Sequence, residues 1–401
     1  MDHARNLDHA SVWPIRPQAL AAYQDAANLG SGDPERLHTP GRRARDLLMR
    51  ASETVGQVVG VDPDDVVWTS GGTESTNLAV VGPVHAARRA GSSRWRLVVS
   101  AVEHSSVLRT ARALERDGDV QVDVAPVDRS GIVDVDAIRR LVGPDTLAVH
   151  VQHANHEVGA VQPTDEVARI AHEQGAVLHV DACQSVGQLG FTATHLGADL
   201  VSASSAKFGG PVGVGFLALG PSARIAAMLE GDDRQRRRRA GQVDVAAIAA
   251  AAVALRVATD DLAAEHSARE LVRRHLRARL TEVPDVQVHG PLADAHPGIV
   301  AVSALYVDGA ALTAELDARG FAVHSGSSCA TSDQQPSHVL AAMEALTHGH
   351  VRISFGPQTT REVADEFLEA YRDIVATLRD PSNHGRRRAH TATIDGPPPG
   401  T

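Results

Sequence analysis

HVDACQSVGQLGFTATHLGADLVSASSAKFGGPVGVG, residues 179–215, carries one acidic and one basic side chain at the ends of two apolar runs. Asp181 closes the run from Ala176 to Val180. Lys207 follows the run from Asp199 to Ala203 and precedes the glycine-rich turn from Gly209 to Gly213. Short apolar runs bounded by turn residues read as buried parallel strands, so both side chains stand at strand carboxyl ends, where open α/β sheets bind ligands. A lysine there can form an imine with an aldehyde, and a carboxylate nearby can hold a protonated pyridine nitrogen. Together they are what a protein contributes to pyridoxal phosphate chemistry, in which the ring is an electron sink. For the pair taken alone, the alternative is a surface lysine and a strand-end aspartate serving solubility and folding.

Outward from this stretch, strand and helix patterns alternate. Val66 to Thr69 reads as a strand and runs into Ser70-Gly-Gly-Thr-Glu-Ser-Thr-Asn77, a helix opening rich in glycine and hydroxyl groups. Free N–H groups and the positive dipole end at such a start cradle an anion; the alternative is an ordinary N-cap on Thr73 or Ser75. Residues 41–60 place Ala44, Leu47, Leu48, Ala51, Val55 and Val58 at helical spacing. Strands over 96–100, 120–124, 146–150, 176–180, 199–203 and 213–219 interleave with helices over 106–116, 134–141 and 164–174, the last with Thr164 as N-cap. This predicts an α/β large domain over residues 16–260, with a mostly parallel sheet wrapped by helices.

Past Gly220 the rhythm changes. Asp232 to Arg239 is a charged loop, and the alanine-rich segment from Val243 to about Leu280 predicts one or two long helices leading into a smaller α+β domain over 261–380. There, strands are expected at 286–288, 299–305 and 351–355 and helices at 310–319 and 359–378. Residues 1–15 are too few to fold alone and are expected to pack on the small domain. The tail, 381–401, has too little apolar content and too many prolines to order.

With 401 residues, 43% of them hydrophobic, the chain can bury a substantial core. No run approaches the roughly 20 apolar residues of a membrane span, and the N-terminus lacks a basic region followed by an apolar one, which predicts a cytoplasmic protein. A net charge of −10 argues against nonspecific nucleic-acid binding. His150, His153 and His156 fall at three-residue steps along a strand that breaks into a loop, which does not keep them on one face, so no metal site is expected. His153 is placed instead in the wall of the active site.

Further chemistry-bearing residues follow other strands. His104, after Glu103, can stack on an aromatic ring; Asn155 with Gln184 can bond a phenolic oxygen; Ser204 can donate to a phosphate. Cys329 lies in Ser325 to Asp333, a small, hydroxyl-rich stretch that suits a mobile loop from which a thiol attacks and carries a product away. A small buried residue is the alternative there, and is the preferred reading for Cys183.

Taken together, SGGTESTN (70–77), EH (103–104), NHEVG (155–159), HVDACQSVG (179–187), SSAKFGGPVGVG (204–215), SGSSCATSDQQPSHVL (325–340) and RISFG (352–356) resemble the cysteine desulfurases of the class V aminotransferase group, from about residue 6 to 378. The resemblance implies a fold-type I homodimer with pyridoxal phosphate on Lys207, Asp181 at the ring nitrogen, His104 over the ring and Gln184 near the ring oxygen. It implies that Gly72, Thr73 and Ser204 receive the phosphate, Asn155 and Arg352 the substrate, and that Cys329 is the nucleophile. The implied reaction converts L-cysteine to L-alanine: Lys207 takes the Cα proton, and the sulfur rests as a Cys329 persulfide before passing to an acceptor. A related lyase or transaminase, selenocysteine lyase included, and a non-catalytic scaffold of a sulfur-transfer complex remain as alternatives. Two positions depart from the family pattern. Ala206 stands where relatives carry histidine, and Gln242 where a partner-subunit threonine reaches the phosphate. Weaker cofactor binding is expected, offset if Arg236 to Arg239 supply charge.

Overall fold

Runs of valine, leucine and alanine buried on both faces build the central sheet of the computed structural model, which describes residues 5–29, 32–325 and 336–380. Its strands are β1 (Val66–Thr69), β2 (Arg96–Ser100), β3 (Gln121–Ala125), β4 (Thr146–His150), β5 (Val177–Asp181), β6 (Leu200–Ser204) and β7 (Gly215–Leu219). They are ordered β1-β7-β6-β5-β4-β2-β3. Helices α1 (Pro17–Asn28), α2 (Thr39–Val59), α3 (Gly72–Arg89), α4 (Ser105–Arg116), α5 (Val135–Leu141), α6 (Thr164–Glu173) and the short α7 (Ala193–Leu196) precede or link these strands. After β7 come the single turn α8 (Arg234–Arg237) and the long helices α9 (Val245–Asp260) and α10 (Leu262–Leu280), which break at Asp261. A second, antiparallel sheet holds β8 (Val286–His289), β9 (Ile299–Ala304) and β10 (His350–Ser354), accompanied by α11 (Gly309–Ala318), α12 (His338–Ala342) and α13 (Arg361–Arg379). Val272, Leu276, Val302, Leu316, Phe367 and Tyr371 fill its own core.

The sheet is mostly parallel, as the alternation predicts, but β7 runs antiparallel to both β6 and β1. Its connection from β6 is short, opening with a single 3-10 turn over Ser205–Lys207 and holding no α-helix, and a parallel return needs a dozen or more residues. Two reversals bring β1 back to the direction of β6, so β1, β2, β4, β5 and β6 all end at one edge. Two further details differ from expectation. Pro163 and not Thr164 precedes the first turn of α6. Helix α1 has no counterpart in the sequence reading because it buries little more than Ala19 and Ala26, too narrow an apolar stripe to show periodicity.

The first residues tie the two sheets together. Asn6 bridges Ala322 and Asp8 bridges Ser354 at the edge of the smaller sheet. The chain then crosses to the lysine turn, where Trp13 N donates to Ala206 O and Arg16 N to Gly209 O, each at 2.8 Å. Arg16 also pairs with Glu265 of α10 at 2.8 Å.

Gly215 controls how closely these parts approach. It pairs with Thr69 on one side and Ser204 on the other, and a Cβ there would lie 2.5 Å from the carbonyl carbon of Gly71 and 2.7 Å from Ala203 O. Gly215→Ala is therefore expected to force β1 and β6 apart and lower the unfolding free energy by about 1–3 kcal/mol, the usual range for overpacking. Urea denaturation measures it.

Candidate active site

The shared strand edge opens into a cavity of about 640 Å³. Lys207 reaches it from the turn after β6. Its Nζ donates to Ala10 O at 2.7 Å and Ser11 O at 2.6 Å. Burial lowers the lysine pKa, with Asp8, Asp181 and Cys183 opposing that shift. Asp181, the last residue of β5, accepts from Cys183 N at 3.0 Å and Ser202 Oγ at 3.1 Å through Oδ1.

At the end of β1 the helix opening is bare. Gly71 precedes α3 with no side-chain cap, so neither Thr73 nor Ser75 closes it; Ser75 Oγ lies 2.7 Å from Thr69 Oγ1 instead. A Cβ on Gly72 would meet Cys183 Sγ at 2.7 Å and Ser204 Cβ at 3.2 Å. Only glycine lets the N-terminus of α3 settle against these residues. Gly72, Thr73, Ser204 and Ala206 all line the cavity, and so does Cys183. Burial and the neighbouring Asp181 push the Cys183 thiol well up.

His104 caps α4, with Nδ1 2.7 Å from Ser106 Oγ, and meets His156 edge to face at 5.3 Å between ring centres. Burial lowers the pKa of His104. His156 is held well below its usual value by burial first, with the neighbouring His104 and Arg352 adding to it. Gln184 donates Nε2 to Ala10 O at 2.8 Å, while its buried Oε1 has no partner among the described residues. Arg352, on β10, donates NH1 to His156 O at 3.0 Å and NH2 to Asp8 Oδ1 at 2.7 Å and Ser11 Oγ at 2.8 Å.

Most of the residues singled out from sequence thus share one cavity. Asn155 is placed differently: its Oδ1 accepts from Glu157 N and Val158 N, each at 2.8 Å, and its Nδ2 donates to Val102 O, so the side chain closes a turn behind the cavity wall. His153 packs on Phe191 at 4.9 Å and is not part of the wall. Gln152, Ala154 and His156 face the cavity instead. Arg236, Arg237, Arg238 and Arg239 pair with Asp64, Asp233, Asp65 and Glu74 respectively, so each has a carboxylate of this chain beside it, and none lines the cavity. Gln242 is exposed. Cys329 lies outside the described residues.

Asp8, Ser11 and His324 join the cavity or its arginine without a signal in the sequence, whereas His156 and His338 fall within the motifs at 155–159 and 325–340 without being singled out for this site. Among the described residues no group of three or more histidine, cysteine or acidic side chains could hold a metal ion, and no helix is long and apolar enough to cross a membrane.

The family model Aminotransferase class-V matches residues 5–367. The chain belongs to the class V aminotransferases. Within that family, Cysteine desulfurase IscS of Dictyoglomus turgidum is 33% identical over 377 residues, covering 93% of this chain and 95% of its relative. Cysteine desulfurase IscS of Escherichia coli O139:H28 is 34% identical over 382 residues, covering 93% of each. A solved NifS-like protein superposes with a TM-score of 0.85 at 28% identity, over 92% of this chain and 99% of that one. DndA from Streptomyces lividans gives 0.73 at 29% identity, over 85% and 97%.

Class V aminotransferases depend on pyridoxal phosphate, and this member's cavity fits that group. The bare start of α3 with the close Gly72 approach suits the phosphate, the buried unpaired Gln184 Oε1 suits a ring substituent that donates, and Asp181 suits a pyridinium.

Buried groups make the stability of the fold depend on pH. Burial holds His9, His150, His153 and His289 down to about 4 and lifts Glu103 to about 8. Below the unfolded histidine value of 6.5 the unfolded chain binds more protons than the folded one, so stability falls as pH drops from 6.5 towards 4. Glu103 acts oppositely: it stays protonated in the folded state from its unfolded value of 4.5 up to about 8, and costs stability as pH rises through that window. Urea midpoints measured against pH are expected to fall on both sides, and Glu103→Gln to flatten the alkaline side alone.

Proposed function

We propose that this chain is a cysteine desulfurase, which converts L-cysteine to L-alanine, takes the sulfur onto Cys329 as a persulfide and passes it to an acceptor. The observation that carries this reading is the meeting of Lys207, Asp181 and Arg352 around one cavity beneath an uncapped helix start. Relatives that cover nearly the whole chain and are named cysteine desulfurase support it.

Pyridoxal phosphate, when bound, stores the electron pair left when a bond at the substrate's Cα breaks. The chain's own residues do the rest. Gly72, Thr73 and Ser204 would hold the phosphate, Asp181 the ring nitrogen and Gln184 the ring oxygen, and His104 would offer its ring to the cofactor. Arg352 takes the substrate carboxylate in a paired hydrogen bond once that carboxylate displaces Asp8. Burial favours the neutral Lys207 amine, which accepts the Cα proton and returns it. The Cys329 thiolate attacks the substrate sulfur, so that an S–S bond forms as the substrate's Cβ–S bond breaks and Cβ takes a proton to become the methyl group of alanine. Asn155 supports this site through the turn it closes, from behind the wall.

For this work the chain divides into the segment 1–15, a large domain over 16–260, a small one over 261–380 and a tail, 381–401, that lies outside the described residues. It acts in the cytoplasm as a homodimer, and the acceptor is a protein thiol or pathway enzyme.

Borohydride reduction of the loaded protein followed by digestion is expected to leave a phosphopyridoxyl label on the peptide containing Lys207; a label elsewhere, or none, overturns the reading. Cys329→Ser is expected to keep the cofactor's absorption and lose sulfur release, whereas undiminished turnover would reassign the protein to a lyase or transaminase. Ala206→His is expected to tighten pyridoxal phosphate by about tenfold, the worth of one charge-assisted hydrogen bond. Cofactor titration shows whether it does.

A further inference from the structure

Asp181 is the end of a buried hydrogen-bonded chain. Ser202 Oγ lies 3.1 Å from Asp181 Oδ1, His179 Nε2 lies 3.0 Å from Ser202 Oγ, and His150 Nδ1 lies 3.0 Å from His179 Nδ1. Strand register creates the chain: His150 of β4 pairs with His179 of β5, and Asp181 of β5 with Ser202 of β6. Ser202 and both histidines are wholly buried. His150 Nε2 has no partner among the described residues.

The proton inventory gives the chain a direction. A hydroxyl has one proton. If Ser202 gives it to the carboxylate, its oxygen must accept from His179, which places a proton on His179 Nε2. A neutral imidazole then has a bare Nδ1, and the proton that fills the contact must come from His150 Nδ1. Burial keeps both rings neutral: it pushes His150 down to about 4, and it holds His179 well below its usual value together with His150. The reverse direction would place a proton on His150 Nε2 with nothing to take it, and an orphaned buried N–H is a rare and costly defect. Three donors therefore line up head to tail towards one carboxylate oxygen, each polarising the next.

Resting on the pyridoxal phosphate reading above, we propose that Ser202, His179 and His150 are positioning residues for the cofactor, which act through Asp181 to fix its carboxylate against the ring nitrogen and keep that nitrogen protonated. They touch neither substrate nor cofactor. Their effect passes through one hydrogen bond, as outer partners orient the groups that do make contact.

Nitrogen-15 NMR of the histidine rings in the full, cofactor-free chain reads the direction directly. A proton on Nδ1 of His150 and on Nε2 of His179 is expected; the opposite assignment overturns the proposal. In the loaded protein, Ser202→Ala removes one link and His150→Phe keeps a ring while removing both nitrogens. Ser202→Ala is expected to weaken pyridoxal phosphate binding about tenfold, the worth of a hydrogen bond to a charged group, and His150→Phe about threefold, the worth of a neutral one, and each to shift the visible absorption maximum of the bound cofactor. Variants that fold, as circular dichroism reports, and show unchanged affinity and an unchanged band would overturn it too. If neither variant folds, the ring assignments decide. Those assignments need no cofactor, so they fail separately from the parent reading, which fails with the Lys207 label.

Discussion

Strand β7, wedged antiparallel between β1 and β6, is the constraint on which the site depends. Its two antiparallel pairings return β1 to the direction of β6, so the helix start at Gly72 and the turn at Lys207 stand at the same end of the sheet. Gly215 makes the wedge narrow enough, since its missing Cβ lets Gly71 and Ala203 close on it. The N–H groups at the start of α3, the Asp181 carboxylate and the Lys207 amine are then spaced by strand geometry, at under 5 Å per strand.

The segment from Asp8 to Ser11 adds a second layer of order. Its backbone carbonyls hold the Lys207 amine, and its Asp8 and Ser11 side chains hold Arg352. Trp13 lies under the buried Arg269 at 5.4 Å, and Arg16 reaches Glu265. One stretch of chain therefore connects α10 and β10 to the reactive turn.

Much of this was legible in the residues. Apolar runs bounded by turn residues located the strands, and the paired Asp181 and Lys207 pointed to the cofactor. The direction of β7 was not legible, because GFLAL is equally apolar read either way and only the length of its connection decides. Asp8 and Arg352 stand 344 residues apart, and no local pattern links them. Asn155 shows the opposite difficulty: an asparagine in a turn satisfies its own backbone neighbours as readily as a ligand, and here it does the former. The arginine run from 236 to 239 announced its charge but not the carboxylates of Asp64, Asp65 and Glu74 that absorb it.

Cys183 forms part of the cavity floor, against Gly72 and beside Asp181. The chain has two cysteines, so any alkylation or thiol count aimed at Cys329 has Cys183 as background. Being protonated by its surroundings, it reacts sluggishly. A phosphate seated above it would screen it further, so the rate of its labelling is a gauge of how full the cradle is.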